Sequence, residues 1–289
     1  MRHAMIAALI ALVTLPAGVV MGQTDDIDFE VTTIESVGLG FPPCAFATAP
    51  DGSLVLVYYV SANSQLKMRE YGGGAWGPAT DLGDDQQVGF DLALAINDDG
   101  QRFVTYQDAA NLRLRLASPL QVPEFTLEAI DTDGDVGRGC TITAGSDGSL
   151  LAAYQDRDQE DLLVAEGLPG AWSITRVDER PGTGYAPAAA YTPGGAQYVT
   201  YHDDAAQALR FAGPLAVPEW SREAVASDGN VGRHAAIASA PDGSLLICYQ
   251  DVDQEDLWAA AGTWGNWSQE AVDQSAGVGA HIACTVTAA

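Results

Sequence analysis

Lysine is almost missing from this chain. Lys67 is the only one, and 13 basic residues stand against 39 acids, a net charge of −26. A surface so poor in cations cannot neutralise a run of phosphates. Nucleic acid and anionic lipid surfaces are therefore excluded as partners. Beyond Val20 there is no apolar run long enough to span a bilayer, so membrane insertion is not expected. Cysteine is scarce: Cys44, Cys140, Cys248 and Cys284 form no C-x-x-C pair and no Cys/His grouping with zinc spacing. Helical stripes are lacking outside the N-terminal leader, which excludes a helical fold. The G-x-S-x-G elbow, the P-loop and H-E-x-x-H are absent too, so no enzymatic motif can be named.

What is present is repetition. Val37-Gly38, Val88-Gly89, Val136-Gly137, Thr183-Gly184, Val231-Gly232 and Val278-Gly279 recur every 47 to 51 residues. A turn pair keeps the same beat at Asp51-Gly52, Asp99-Gly100, Asp147-Gly148, Gly194-Gly195 and Asp242-Gly243. A third phrase follows: Tyr106-Gln107-Asp108, Tyr154-Gln155-Asp156, Tyr201-His202-Asp203 and Tyr249-Gln250-Asp251. Between these marks lie short β-prone runs, four to a period. An Asp-Gly pair between two such runs signals a hairpin. Four short strands in about 48 residues is the spacing of a β-propeller blade.

The expected fold is thus all-β: a propeller of four-stranded antiparallel blades, with five complete repeats and a partial sixth. Residues 23–289 form its single domain. Two spare strands flank the repeats, Phe29–Ile34 and His281–Thr287, giving 22 strands in all. That count closes neatly at neither five nor six blades. A second similarity runs at twice the period: Gly148–Ala165 and Gly243–Ala260 match at 13 of 18 positions across an offset of 95. The duplicated unit is a blade pair. Trp76, Phe125, Trp172, Trp220 and Trp267 each begin a fourth strand. A residue repeated in every blade is read as packing between blades rather than as a sugar platform.

Residues 1–22 have the pattern of a signal peptide. Met1-Arg2-His3 precedes an apolar stretch, and Val20 and Gly22 suit the −3 and −1 positions of a cleavage site. The expected location is secreted, periplasmic or cell-surface, and the expected state is a monomer. Disulfides are permitted there. Cys44 and Cys284 both fall on innermost strands that a closed ring would bring together, so a staple between them stands beside the alternative of free, buried thiols.

Strand alternation places the blade linkers and the turns between second and third strands on one rim. That rim collects acids, as in Asp131–Asp135 and Asp156–Asp161. The two residues after each Val-Gly pair enter the channel mouth and vary from blade to blade. They nominate Asp91, Arg138, Tyr185, Arg233, His234 and His281 as ligand-binding residues, because specificity is grafted onto a constant scaffold. The alternative is that the arginines merely neutralise linker acids. Asp131, Asp133 and Asp135 have the composition of a calcium loop, though the glycine sits at the fourth position and no closing Glu follows. Calcium is the one cofactor suggested, with a solvated turn as the other reading. No catalytic residue is nominated.

The order of these phrases resembles tandem repeats of exported bacterial β-propeller proteins. There the phrase tends to read Tyr-Tyr-Asp before a Leu-Lys-Tyr-Ala strand, and here Tyr154-Gln155-Asp156 precedes Leu162–Ala165. The resemblance covers the chain after its leader and implies the fold and an exported location. Sialidase-like propellers are a more distant likeness, because the Asp-box is missing: Ser146-Asp147-Gly148 lacks its spacing and its Trp. The function expected is that of a non-catalytic scaffold holding a carbohydrate or protein ligand at the acidic channel rim. Two alternatives stay open, a sialidase-like or other polysaccharide-active hydrolase and a calcium-stabilised structural surface domain.

Overall fold

Each repeat supplies four β-prone runs broken by tight turns, and each folds into one sheet. The computed structural model describes residues 43–60, 64–83, 88–121, 124–216, 219–275 and 277–286. The leader, the strand expected at Phe29–Ile34 and the first Val-Gly pair lie outside the described residues. Blade one holds β1 (Cys44–Thr48), β2 (Leu54–Val60), β3 (Gln65–Gly72), β4 (Ala75–Trp76) and β5 (Thr80–Asp81). Its fourth strand is split, since β4 and β5 both pair with β3. Blade two holds β6 (Val88–Ile96), β7 (Arg102–Asp108), β8 (Arg113–Gln121) and β9 (Glu124–Asp131). Blade three holds β10 (Val136–Ala144), β11 (Leu150–Asp156), β12 (Asp161–Leu168) and β13 (Ala171–Asp178). Blade four holds β14 (Tyr185–Tyr191), β15 (Gln197–Asp203), β16 (Ala208–Ala216) and β17 (Glu219–Ala226). Blade five holds β18 (Val231–Ser239), β19 (Leu245–Asp251), β20 (Asp256–Thr263) and β21 (Asn266–Asp273).

Strands pair in chain order within each blade, all antiparallel. The first strands β1, β6, β10, β14 and β18 neighbour one another in that sequence. This is the β-propeller arrangement, with first strands innermost. The core lies between blades rather than within them. One apolar cluster joins Phe103 and Leu116 of blade two to Ile142, Leu150 and Tyr154 of blade three. Another joins Val164 and Val177 of blade three to Val199 and Tyr201 of blade four. Fourth-strand tryptophans also stitch blade boundaries. Trp172 Nε1 donates to Glu128 of blade two at 2.8 Å, and Trp267 Nε1 donates to Glu223 of blade four at 2.7 Å. The two contacts are offset by 95 residues, as the blade-pair duplication requires.

The Val-Gly pairs are crossings where one blade's entry passes over its neighbour. At Gly184 φ is +79°, and an added Cβ would lie 2.8 Å from the Asp161 carbonyl oxygen and 2.9 Å from Leu162 Cα. Backbone so placed leaves room only for glycine. Gly279 approaches the Asp256 carbonyl in the same way. The closing segment after it therefore takes the place of a sixth blade's inner strand. Its residues 281–286 do not form the strand expected there. An inner strand needs a second strand to pair with, and the described residues supply none.

Candidate functional site

The linkers and the turns between second and third strands do share one rim. Arg157 N donates to the Asp135 carbonyl at 2.9 Å, Asp204 N to that of Gly182 at 2.7 Å and Val252 N to that of Asn230 at 2.8 Å. The repeated phrase builds this rim residue by residue. The aspartate caps its turn: Asp156 Oδ1 accepts from the amides of Asp158 and Gln159. The tyrosine hydroxyl crosses to the preceding blade, Tyr154 to Asp131 Oδ2 at 2.7 Å and Tyr201 to Asp178 Oδ2 at 2.6 Å. The glutamine reaches the next blade, Gln155 Nε2 to the Thr183 carbonyl at 3.0 Å and Gln250 Nε2 to that of Val278 at 3.1 Å.

Acids on this rim are buried, and arginines hold them. Arg176 bridges Asp156 and Asp161, while Arg210 and Arg180 both reach Asp203. Asp178 is fully buried. Desolvation pushes its carboxyl up, yet donors from Arg180 and Tyr201 outweigh that and leave it below the usual carboxylate range. The loop at Asp131, Asp133 and Asp135 has its inner oxygens engaged. Asp131 accepts from the Asp133 amide and from Tyr154. Asp135 accepts from Gln107 at 3.0 Å and pairs with Arg157 at 3.3 Å. Only Asp133 is left facing solvent. Among the described residues no three His, Cys, Asp or Glu side chains are grouped to hold a metal ion.

Five of the six residues nominated for a ligand lie at one step of the architecture, and the sixth, His281, lies on the closing segment. Each inner strand of blades two to five opens with a register shift just after its Val-Gly or Thr-Gly pair, between Val88 and Leu92, Arg138 and Thr141, Tyr185 and Ala188, and Val231 and Ala235. The shifts fall where the nominated residues stand. Asp91 lies close enough to Cys140 to act on its thiol, which burial, first, and then Asp91 push up to about 12. Gly139, next to Arg138, packs on Ala186 and Pro187. Tyr185 stands opposite His202 in the sheet. Arg233 is exposed and acts electrostatically on His202 and His234. The His234 and His281 rings are 5.2 Å apart. Burial, and then the neighbouring His281 ring and the Arg233 guanidinium, hold His234 below its ordinary value. The residues form one arc from blade two to the closing segment. Ala186 and His281 take φ of +44° and +57°, a region costly for side-chain-bearing residues.

Two features were not anticipated. His202 belongs to the arc: it is 1% exposed, its Nδ1 sits 2.9 Å from the Val231 carbonyl, and its buried Nε2 has no hydrogen-bond partner. The signal was its replacement of glutamine in the repeated phrase. The second concerns the arginines. Arg102, Arg113, Arg115, Arg157, Arg176, Arg180, Arg210 and Arg222 each reach a carboxylate. Arg138 and Arg233 form no ion pair with a carboxylate among the described residues. All four thiols are free here; Cys140 is buried as the free-thiol alternative expected, and the Cys44–Cys284 staple is not formed. Cys284 lies against Cys248 and the Leu246 carbonyl, and Cys44 is exposed.

No family model matches this sequence, and no curated protein sequence matches it. Similar shapes exist among solved structures. SapL1 lectin in complex with alpha methyl fucoside is 16% identical, with a TM-score of 0.58 over 84% of this chain and 85% of that one. A fungal lectin from Aleuria aurantia, described as a six-bladed β-propeller with a novel fucose recognition mode, is 16% identical. Its TM-score is 0.56 over 83% of this chain and 80% of its own. TolB from Acinetobacter baumannii is 11% identical, with a TM-score of 0.55 over 81% of this chain and 56% of that one. At such identities the likeness is one of fold.

Proposed function

We propose that this protein is an exported, non-catalytic binding propeller whose ligand sits on the channel rim along the arc of Asp91, Arg138, Tyr185, Arg233, His234 and His281. One observation carries the reading. On a rim where arginines otherwise hold acids, the two in the variable linker positions have no carboxylate partner among the described residues. A guanidinium offers five donors in a fixed fork, suited to adjacent hydroxyls or a carboxylate on a ligand. Carbohydrate is the first ligand class to test, since lectins are among the similarly shaped structures.

The test is a glycan array that includes α-methyl fucoside, followed by calorimetry with the best binder. Arg233→Ala and Arg138→Ala are each expected to weaken binding roughly tenfold to a hundredfold, the worth of a hydrogen bond to a charged group. Neither variant should change the melting temperature, because neither side chain holds the fold. Binding that both variants leave intact would place the ligand elsewhere. Turnover of reporter glycosides that either variant abolishes would replace the scaffold by a hydrolase.

A further inference from the structure

We propose that Cys248 and Cys284 are a disulfide-forming site, oxidised by an external disulfide of the glutathione class, and that the bond fastens the closing segment to blade five. The geometry is specific to this pair. Cys248 lies on β19 and Cys284 on the closing segment, near enough for each thiol to act on the other. Cys284 Sγ also stands 3.8 Å from the carbonyl of Leu246, two residues along β19. Cys140 is buried beneath the neighbouring blade and Cys44 is exposed on β1, the first strand of blade one.

Among the described residues, the pair also sits where less packs against a strand than at a boundary between two complete blades. β11 lies between two complete blades and is buried along its whole length. β19 alternates buried and half-buried residues, and its half-buried set, Leu246, Cys248 and Gln250, faces the closing segment. Among the described residues, 277–286 stand where a next blade would, and they have no sheet pairing. Their polar contacts to blade five are few: Gln250 to the Val278 carbonyl, Val278 N to that of Glu255, and Cys284 to that of Leu246.

The chemistry balances. The neighbouring Cys284 thiol holds the Cys248 thiol below its usual range, and Cys248 and then burial raise that of Cys284. Cys248 is then the first nucleophile, because the thiolate is the attacking species. Its sulfur attacks one sulfur of oxidised glutathione, forming a mixed disulfide and releasing one glutathione thiolate. Cys284 gives up its proton and attacks Cys248 sulfur, which releases the second glutathione. The protein loses two electrons and two protons, and one glutathione disulfide becomes two thiols. The bond would hold His281 against His234 and so bind the last part of the arc to the ring.

The full chain, incubated with oxidised glutathione, is cut with a protease specific for glutamate. That protease separates the two cysteines at Glu255 and Glu270. Mass spectrometry without reduction should show a linked Cys248–Cys284 peptide and free thiols at Cys44 and Cys140. Reducing the bond should lower the melting temperature by roughly 5 °C and speed amide exchange in residues 277–286. The Cys248→Ser/Cys284→Ser double variant should show neither difference between oxidised and reduced buffer. A Cys44–Cys284 linkage, four thiols still free or singly glutathionylated, or a linked protein whose closing segment exchanges as fast as the reduced one would each overturn the proposal.

Discussion

His202 is the residue where the repeat is broken and the chemistry changes. Its Nδ1–H donates to the Val231 carbonyl, the bond its glutamine counterparts make between blades. That leaves Nε2 as a bare acceptor, 3.7 Å from Asp204 Oδ1 and without a donor. Burial pushes its ionisation down, and the Val231 carbonyl and Asp204 only partly oppose this, so the folded protein holds the ring neutral. The sign of the consequence follows. The unfolded chain takes up a proton first, near pH 6.5, while the folded ring resists. The stability this histidine contributes is present above that value and is lost as pH falls through the lower folded value. His202→Gln restores the repeat and keeps the carbonyl bond. It should flatten the loss of stability between about pH 7 and pH 5, read as urea midpoints across that range. An unchanged slope would assign the titration to another group, with His234 the first to examine.

At the scale of the blade, the tyrosine of the repeated phrase ties blades three and four to the blade before them, and in blade five it bonds within its own sheet. The same hydroxyl does different work in different blades. Tyr201 donates at 2.6 Å to Asp178, a fully buried carboxylate. Tyr249 donates at 2.9 Å to the neutral amide oxygen of Gln269. Tyr201→Phe should therefore cost about 1–3 kcal/mol, the penalty of leaving a buried charged acceptor short of a donor, and Tyr249→Phe about 0.5–1.5 kcal/mol. Equal losses in thermal or urea unfolding would mean that Arg180 and Arg222 satisfy Asp178 without the tyrosine. The blades themselves were legible in the sequence because their marks repeat. Val-Gly crossings, Asp-Gly turns and the Tyr-Gln-Asp phrase are each set by local backbone need or by a contact made in every blade. The rim location of the acids followed from strand alternation alone. The closing segment was not legible, since whether His281–Thr287 forms a strand depends on a partner far away in sequence. Nor was the Cys248–Cys284 contact, because pairing by ring position pointed to Cys44. The freedom of Arg138 and Arg233 could not be read either. It depends on which carboxylates the other arginines reach across blade boundaries, and no spacing encodes that.

Across the whole molecule, one charge imbalance acts on the ring of blades. The net charge of −26 raises the energy of the compact state through self-repulsion. Part of the acid is neutralised locally, as at Asp178 and Asp203, and those half-buried pairs are screened little by salt. The rest is exposed, as on β21, where seven of eight residues face solvent and only Trp267 is half-buried. Salt should therefore stabilise this protein rather than weaken it. Raising sodium chloride from about 10 mM to about 0.5 M shrinks the screening length from roughly 30 Å to under 10 Å. That removes repulsion between exposed acids while leaving the arginine pairs largely intact. The melting temperature should rise by several degrees over this range. Choline chloride, which cannot coordinate to carboxylates, should give the same rise at equal ionic strength. Calcium chloride at matched ionic strength separates screening from binding, because a ligand selective for the native state adds its own stabilisation. A further rise with calcium that Asp133→Asn removes would assign an ion to the Asp131–Asp135 loop. A calcium curve that overlays the choline curve would leave that loop as the solvated, arginine-braced turn its hydrogen bonds describe. A melting temperature that falls with salt would show that ion pairs, not repulsion, dominate the electrostatics of the fold.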